Sequence, residues 1–381
     1  MNDKTPRIRF KGFTDDWEQR KLGEITMTNP FKQFIAEGTL DGTYEVIQQG
    51  DIPVVGYANG EPFENYERIS LFGDHTLSLY KPKGPFFVAS DGIKILSPSI
   101  NLDGLFYYYL LMRYKPNSEG YKRHYTILKD CEALYPTDCE EQKQIGVLFQ
   151  QLDNLITLHQ RKCEVLVNIK KSMLEKIFPK NGKKVPEIRF EGFTDDWEQR
   201  KLSEFVEFFS GLTYTPNDVQ ESGTLVLRSS NVNNSEIVDA DNVYVNPQVV
   251  NSEMVKVGDI IVVVRNGSRS LIGKHAQIKT FMPNTVIGAF MTGIRSECPE
   301  FTNALLNTSK FEKEIAMNMG ATINQITGYM FSRMEFKIPC INEQKKIGEY
   351  FDNLDNLITL HQRKLEKLQN IKKSMLEQMF I

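Results

Sequence analysis

The sequence predicts an α+β fold with two globular domains separated by a long antiparallel two-helix coiled coil, arranged as a pseudo-two-fold internal duplication. Three observations lead to this fold. A short segment and a long segment each occur twice, the long segment has helical periodicity, and the blocks between the repeats are rich in short strand and turn signals. The predicted boundaries are a short repeat at 1–24, a first domain at 25–135, a first long helix at 136–180, a second short repeat at 181–204, a second domain at 205–337 and a second long helix at 338–381.

The short repeat is nearly identical in its two copies. Residues 6–24 read PRIRFKGFTDDWEQRKLGE, residues 186–204 read PEIRFEGFTDDWEQRKLSE, and they agree at 16 of 19 positions with an offset of 180. The blocks that follow share little residue-by-residue similarity. Near-identical repeats around divergent blocks indicate one shared task for the repeats. The blocks then have two different tasks, or one task on two different targets. Recent duplication with uneven drift is the alternative.

The long repeat is predicted to be a helix. The blocks Asp153–Lys162 and Asn168–Glu175 recur unchanged at Asp355–Lys364 and Asn370–Glu377, with an offset of 202. Apolar residues in the first copy alternate at spacings of three and four, which is typical of a coiled-coil seam. A capping box at Thr137-x-x-Glu140 and a favourable N-cap residue at Asn342 are the predicted start signals.

The order of the blocks sets the predicted architecture. The first helix runs from the first domain to the second, so the second helix must run back for the two seams to meet. About 37 residues at roughly 1.5 Å each give a rod of roughly 55 Å. An intermolecular coiled coil is the alternative.

The variable blocks are predicted to mix strands and helices. In the first block Tyr44–Gln48 and Phe86–Ala89 are strand candidates, and Leu105–Tyr114 resembles a helix. In the second block Val226–Leu227 and the run Gly258–Arg265 are predicted strands, and Asn266-Gly267 is a hairpin turn signal.

Positive charge is clustered in the second block, where residues 260–296 contain no acid. Arginine can bind guanine bidentately, and asparagine or glutamine can bind adenine in the same way. The predicted base-contacting or phosphate-contacting residues of this block are Arg228, Ser229, Asn231, Arg265, Asn266, Ser268, Arg269, Lys274, Asn324 and Gln325. In the first block they are Lys81, Lys83, Lys122, Arg123 and Tyr125. A solvated surface role is the alternative for each.

The composition limits the class of protein. The chain has 381 residues, 40% hydrophobic and 25% charged, which is typical of a globular protein of about two domains. We expect a cytoplasmic location, because the first residues are polar and no run approaches the roughly 18 apolar residues of a membrane span. The five cysteines lack metal-site spacing, so we expect reduced structural thiols.

Two further observations concern chemistry. The formal net charge of −3 counts against a self-sufficient DNA-binding protein, unless its basic residues are clustered or a partner contributes phosphate contacts. The segment Gly267–His275 lacks the spacing of a P-loop, and Thr28-Asn-Pro-Phe31 lacks the second proline of the amino-methyltransferase motif. We therefore predict a binding protein with no catalytic, cofactor or metal site.

The layout resembles that of the specificity subunits of type I restriction-modification systems, over essentially the whole chain. The resemblance rests on the two-fold repeat, on Trp17-Glu-Gln-Arg-Lys-Leu22 and Trp197-Glu-Gln-Arg-Lys-Leu202, and on the segments entering the helices, Pro136–Ile145 and Ile338–Ile347. It implies two target-recognition domains, each reading half of a bipartite site in double-stranded DNA. It also implies two methyltransferase subunits held by the repeats, and restriction/translocase subunits in the full complex.

The same resemblance implies that S-adenosylmethionine, ATP and Mg²⁺ belong to partner subunits. The candidate partner contacts in the repeats are Leu152, Leu155, Leu354, Leu357, Trp17 and Trp197. The alternative functions are a coiled-coil adaptor that does not bind DNA and a DNA methyltransferase. The adaptor leaves the two divergent, Asn- and Arg-bearing blocks unexplained, and the methyltransferase lacks its motifs.

Overall fold

The computed structural model describes residues 4–118, 120, 123–180, 182–233, 235–319 and 324–380. The chain divides into two units, of which the first comprises residues 1–161 and 362–381 and the second comprises residues 162–361. Both contain helices and sheets. Each unit combines a short repeat, a variable block and parts of both long helices.

The elements from the N-terminal half of the sequence are, in chain order, β1 (Glu18–Lys21), α1 (Leu22–Ile25), β2 (Thr26–Asn29), β3 (Tyr44–Ile47), β4 (Val54–Ala58), β5 (Ser70–Gly73), β6 (Leu79–Tyr80), β7 (Phe86–Val88), β8 (Ile93–Pro98), α2 (Gly104–Tyr114), α3 (His124–Asp130), β9 (Glu132–Tyr135) and α4 (Cys139–Ile177). They form sheets of order β1-β9, β2-β8-β5-β6 and β4-β3-β7. The strands predicted at 44–48 and 86–89 and the helix predicted at 105–114 correspond to β3, β7 and α2.

The elements of the C-terminal half are β10 (Glu198–Lys201), β11 (Val206–Ser210), β12 (Val219–Gln220), β13 (Thr224–Leu227), β14 (Val232–Asn233), β15 (Glu236–Ile237), β16 (Val243–Val245), β17 (Ile260–Val263), β18 (His275–Gln277), β19 (Thr285–Ile287), β20 (Met291–Ser296), α5 (Pro299–Leu306), α6 (Ser309–Asn318), α7 (Gly328–Ser332), β21 (Glu335–Ile338) and α8 (Ile341–Met379). Their sheets have the orders β10-β21, β11-β20-β17-β18, β12-β16-β13-β19 and β14-β15.

The two variable blocks share most of their sheet topology despite their different sequences. The antiparallel sheet β2-β8-β5-β6 corresponds strand for strand to β11-β20-β17-β18. In the other sheet β3 pairs in parallel with β7, as β13 does with β19. Strand β12, at the edge of this sheet, and the hairpin β14-β15 are additions in the second block. Equivalent topology means that equivalent loops meet at the same edge in each unit.

Both blocks begin and end at a short strand pair. In the first unit β1 pairs with β9 so that Lys21 faces Glu132, and in the second β10 pairs with β21 so that Lys201 faces Glu335. The repeated tryptophan next to each strand is buried, with Trp17 and Trp197 exposed by only 1% and 2%. Each variable block is therefore attached to the repeats at one place, where its two ends lie side by side.

The long helices contribute to the cores of both units. The first unit's core contains Phe149 from α4 together with Met379 and Phe380 from the end of α8 and just beyond. The second unit's core contains Phe351 from α8 and Phe178 next to the end of α4. Apolar residues at a helical spacing bury one stripe of each helix, which is why 39-residue helices are stable here.

Equivalent ion pairs join the two long helices within each unit. Lys372 of α8 contacts Asp153 of α4 at 2.6 Å in the first unit, and Lys170 of α4 contacts Asp355 of α8 at 2.6 Å in the second. The four residues are related in pairs by the repeat offset of 202. The long repeat therefore makes the same interhelical contact twice.

Both predicted helix starts were wrong by one or two residues. The Asp138 carboxylate accepts hydrogen bonds from the N–H groups of Glu140 and Glu141, at 2.7 and 3.1 Å, so Asp138 is the N-cap rather than Thr137. In α8 the N–H groups of Glu343 and Gln344 donate to the Cys340 carbonyl, and Asn342 lies inside the first turn. Carboxylates bind free N–H groups at a helix start more strongly than hydroxyls do.

The turn signal at Asn266-Gly267 was also misread. Strands β17 and β18 do pair antiparallel, but residues 264–274 separate them, with a short 3-10 helix at Arg269–Leu271. The chain at Arg265 instead forms a bridge to Gln325. This contact with a distant segment replaces the two-residue turn.

Candidate functional site

Four segments of the second unit meet at one edge, where strands β13, β17 and β19 end. Residues 228–231 follow β13, 264–274 follow β17, 288–290 follow β19, and 324–326 precede α7. Backbone hydrogen bonds join them: Gly288 N–H to Leu227 O at 2.9 Å, Val264 N–H to Phe290 O at 3.0 Å, and Ile326 N–H to Val264 O at 2.8 Å. We call this surface the second loop edge.

All residues predicted in the second block lie on the second loop edge. The structure thus brings Ser229, Arg265, Asn266, Asn324 and Gln325 together, although they come from three distant parts of the sequence. Asn324 donates to the Gly267 carbonyl at 2.9 Å. The hydroxyls of Ser268 and Ser270 lie 2.9 Å apart on the same exposed loop.

The Asn266 side chain shapes this loop. Its Nδ2 donates to Ser229 Oγ at 2.9 Å, and its Oδ1 accepts from the Ser268 N–H at 2.9 Å. Both ends of the amide therefore have partners inside the unit. Contact of Asn266 with adenine stays a prediction.

The charged residues of the second loop edge fall into two groups. Arg228 donates to the carboxylate of Asp241 at 2.9 Å and so already has an anionic partner within the unit. Within the described ranges, Arg265 and Arg269 form no ion pair, and both are exposed. Lys274 is half-buried next to β18, and its carbonyl accepts from the Val263 N–H at 2.8 Å. Arg265 and Arg269 are thus the cations most available to a polyanion.

The prediction for Asn231 was wrong. Its side chain is 0% exposed, its Nδ2 donates to the Ala240 carbonyl and to Asn242 Oδ1, and its Oδ1 accepts from the Arg228 N–H. A buried amide must satisfy its hydrogen bonds internally, so Asn231 anchors the loop and cannot reach a base.

Sequence reasoning missed Phe290 on this edge. Its side chain is 53% exposed, and the Arg265 guanidinium lies over its ring, with the Arg265 Cζ 4.9 Å from the ring centroid. The signal in the sequence is weak, because a lone phenylalanine after a strand is usually part of the core.

The first unit has an equivalent edge at the ends of β3, β5 and β7. We call residues 48–53, 74–78, 89–92 and 123–125 the first loop edge. The Asp74 N–H donates to Gly92 O at 2.8 Å, the His75 N–H to Gln49 Oε1 at 3.2 Å, and the Gly50 N–H to Ser78 Oγ at 2.9 Å. Sequence reasoning missed these loops, although Asp91-Gly92 is a turn signal.

Two residues predicted in the first block lie on the first loop edge. Arg123 is exposed, directly before α3. The Tyr125 N–H donates to Asp74 Oδ1 at 2.8 Å, its hydroxyl lies 2.5 Å from Thr28 Oγ1, and Lys129 Nζ lies 5.4 Å from its ring centroid. Lys122 lies outside the described residues.

The structure places Lys81 and Lys83 away from this edge. They lie between β6 and β7, at the opposite ends of the strands, with Lys83 exposed. Lys81 Nζ donates to the carbonyls of Glu67 and Ile69, and burial lowers the pKa of its ammonium to about 8. Lys81 therefore fastens a loop, which corrects its assignment as a DNA contact.

The repeated segments form the same largely buried arginine–glutamate ion pair in both units. Arg9 binds Glu141 through two hydrogen bonds of 2.7 and 2.9 Å, and Arg189 binds Glu343 through two of 2.8 Å. The hydrogen bonds to these carboxylates raise the pKa of both guanidinium groups. Each pair ties a short repeat to the first turn of a long helix.

A family model described as "Type I restriction modification DNA specificity domain" matches residues 14–168 and 194–370. The chain belongs to this family. Each match includes the repeated tryptophan with the strand that follows it, a variable block and most of a long helix. The family assignment inferred from the repeats is confirmed.

Two relatives of the family illustrate the similarity. The chain is 28% identical over 255 residues to the type I restriction enzyme MjaVIII specificity subunit of Methanocaldococcus jannaschii, covering 62% of this chain and 58% of that protein. It is 24% identical over 394 residues to the putative type I restriction enzyme MjaX specificity subunit of the same organism, covering 96% of this chain and 88% of that protein. The match thus spans little more than half of the first relative.

A solved structure has the same fold. The crystal structure of the S subunit of a type I restriction-modification system from M. genitalium matches with a TM-score of 0.70 at 16% identity, covering 99% of both chains. The mixed α+β fold class predicted for this chain agrees with that neighbour.

The residues predicted as partner contacts in the two repeats differ in their exposure. Trp17 and Trp197 are core residues, where Trp17 packs against Phe380 and Trp197 against Phe178, so their prediction as partner contacts was wrong. Leu152 and Leu354 are also buried. Leu155 and Leu357 are 43% and 44% exposed, and of the four predicted leucines they are the ones a partner can reach.

None of the helices among the described residues is long and apolar enough to cross a membrane. No group of three or more His, Cys, Asp or Glu side chains among those residues is arranged to hold a metal ion.

Proposed function

We propose that the chain is the DNA sequence-reading subunit of a type I restriction-modification complex, without a catalytic site of its own. The observation that carries this proposal is the second loop edge of a family member. There Arg265 and Arg269 are exposed among hydroxyl and amide groups, and neither pairs with a carboxylate of the described residues. Hydrogen-bond donors of this kind bind base edges in the major groove, while cations bind phosphates.

The two loop edges read different halves of a bipartite target. The strands that end at these edges have the same order and pairing in both units, so the two edges present equivalent loops, but the side chains differ. The second edge carries Arg265 and Arg269, whereas the first carries Arg123 among glutamine, serine, threonine and histidine residues and three aspartates. Different donor and acceptor patterns select different bases.

The repeats hold the partner subunits. One chain binds two methyltransferase subunits because the long repeat occurs twice, and restriction/translocase subunits complete the complex. Leu155 and Leu357 are equivalent exposed positions in the two copies. S-adenosylmethionine, ATP and Mg²⁺ act in those partners. Phosphate contacts from partners also account for a reading subunit with a net charge of −3.

We also infer that α4 and α8 pair as an antiparallel coiled coil. The equivalent ion pairs Lys372–Asp153 and Lys170–Asp355 support this, because each joins the C-terminal half of one helix to the N-terminal half of the other.

The test is selection from a library of random-sequence duplex DNA by the full-length chain assembled with the methyltransferase subunits of its own system. We expect enrichment of one motif with two specified parts, and a native mass of one chain with two methyltransferase subunits. Assembly without any enriched motif would favour the adaptor and refute the proposal. Binding of S-adenosylmethionine by the chain alone would favour a methyltransferase.

A further inference from the structure

One arginine of the second loop edge is held in place before any ligand arrives. The Arg265 guanidinium lies over the exposed ring of Phe290, with the Arg265 Cζ 4.9 Å from the ring centroid. The Phe290 carbonyl accepts hydrogen bonds from the N–H groups of Val264 and Arg265, at 3.0 and 3.2 Å. Arg265 and Phe290 are therefore in contact through their side chains and also through their backbones.

Neighbouring segments fix the same arginine from its other side. Arg265 forms a β-bridge with Gln325, and the Asn266 N–H donates to the Asn324 carbonyl at 3.3 Å. The backbone at Arg265 thus belongs to a small network of three segments. An arginine on such a frame loses less conformational entropy on binding than one on a free loop.

A second arginine in the same unit provides an internal comparison. Arg295 lies over the Phe209 ring, also with its Cζ 4.9 Å from the centroid, but it donates to the carboxylates of Asp259 and Glu253. Each of its three guanidinium nitrogens donates a hydrogen bond inside the unit. Arg265 has the same aromatic support, and the described residues include no carboxylate paired with it.

We propose that Phe290 is a positioning residue that presents the Arg265 guanidinium to a guanine in the half-site read by the second loop edge. This inference rests on the proposed function. The guanidinium is planar and matches guanine O6 and N7 with two parallel N–H donors. Contact with the Phe290 ring limits the positions that the guanidinium can take. A lysine has no planar fork of donors to present in this way.

The experiment repeats the random-sequence selection with variants of the full chain in the same assembly. For Arg265→Ala we expect the preference for guanine at one position of one half-site to fall by about 5- to 150-fold. For Phe290→Leu we expect a fall of roughly 2- to 5-fold at that position, since an exposed cation–π contact is weak. Phe290→Tyr keeps an aromatic ring, so we expect it to retain the preference.

Two further variants separate positioning from folding and charge. Arg265→Lys keeps the charge but loses the planar fork, so guanine preference falls while the salt dependence of binding stays the same. Phe281→Leu is the matched control, because Phe281 is 77% exposed on the segment between β18 and β19 and is not on the second loop edge. We expect it to leave the motif unchanged.

The outcomes separate the two proposals. If the parent chain enriches no motif, the proposed function fails. If it enriches a motif that Arg265→Ala leaves unchanged, this inference alone is overturned. A uniform loss of affinity with a shallower salt dependence in Arg265→Ala would identify a phosphate contact and would also overturn it.

Discussion

His275 lies on β18 of the second unit with its ring edge-on to Phe311, the two ring centroids being 6.0 Å apart. Burial lowers the pKa of its imidazole to about 4, and the nearby Lys170 ammonium acts in the same direction. The hydrogen bond to the Gly273 carbonyl opposes this shift and is outweighed. His275 is therefore neutral in the folded protein at physiological pH.

This burial predicts an acid-sensitive second unit. An unfolded histidine has a pKa of about 6.5, so between pH 6.5 and 4 the unfolded chain binds a proton that the folded chain excludes. The free energy of unfolding should therefore fall as the pH falls through this window. The total loss should be about 3 kcal/mol, because each unit of difference between the folded and unfolded pKa corresponds to about 1.4 kcal/mol. His275→Gln, measured by urea unfolding from pH 7 to 4, should show a shallower decline. If His275→Gln lost as much free energy of unfolding between pH 7 and 4 as the parent chain, the lowered pKa of His275 would be contradicted.

The sequence was sufficient to predict which residues lie on the second loop edge. It was not sufficient to predict which of them are buried and which are exposed. Local charge and turn chemistry indicated Arg265, Asn266 and Asn324, which do lie together. The burial of Asn231 and the exposure of Phe290 depend on neighbours far along the chain. Residue types alone therefore could not distinguish Asn231, which is buried and holds the loop in place, from the exposed residues.

At the scale of secondary structure elements, one glycine in each long helix marks a close helix contact. A Cβ on Gly146 of α4 would lie 2.9 Å from the Phe106 N in α2, and a Cβ on Gly348 of α8 would lie 2.7 Å from the Phe301 N in α5. These glycines are equivalent in the repeat. Each permits the first turn of a shorter helix to pack against the long helix.

We predict that Gly348→Ala destabilises the second unit. Alanine favours an isolated helix by about 1 kcal/mol over glycine, but overpacking against backbone costs roughly 1–3 kcal/mol. The backbone N of Phe301 cannot move aside as a flexible side chain would. Thermal and urea unfolding measure the effect, with Asn353→Ala at an exposed position of the same helix as the control. Stabilisation in both variants would show that the contact is loose.

Periodicity was sufficient to predict the long helices, and alternation was sufficient for several strands. The parallel pairing of β13 with β19 was beyond prediction, because these strands are separated by 57 residues between Leu227 and Thr285 with no local signal for the partner. The bridge between Arg265 and Gln325 was missed for the same reason, since turn residues report only local geometry.

At the scale of the whole molecule, both variable blocks have their ends side by side. In the first unit the Leu22 N–H donates to the Cys131 carbonyl at 2.8 Å, and in the second the Leu202 N–H donates to the Met334 carbonyl at 2.9 Å. A block can therefore be replaced without moving the repeats, provided that its two ends fit the same strand pair.

This attachment predicts modular specificity. Replacing residues 205–337 with the equivalent block of a family member of different specificity should change only one half of the recognised sequence. The reciprocal exchange of residues 25–135 should change only the other half. Methylome sequencing of host cells carrying each hybrid system measures both outcomes. A change in both halves after a single exchange would refute the hypothesis that each block determines one half of the target.

The two units also differ in when their cores can be completed during synthesis. The second unit is continuous in sequence, from residue 162 to 361, whereas the first needs Met379 and Phe380 to cover Trp17 and Phe149. A ribosome adds about 5–20 residues each second, so the N-terminal unit waits more than ten seconds for its last side chains. We therefore expect the part of the chain that is made first to finish folding last, with the apolar surface of its core exposed during that interval.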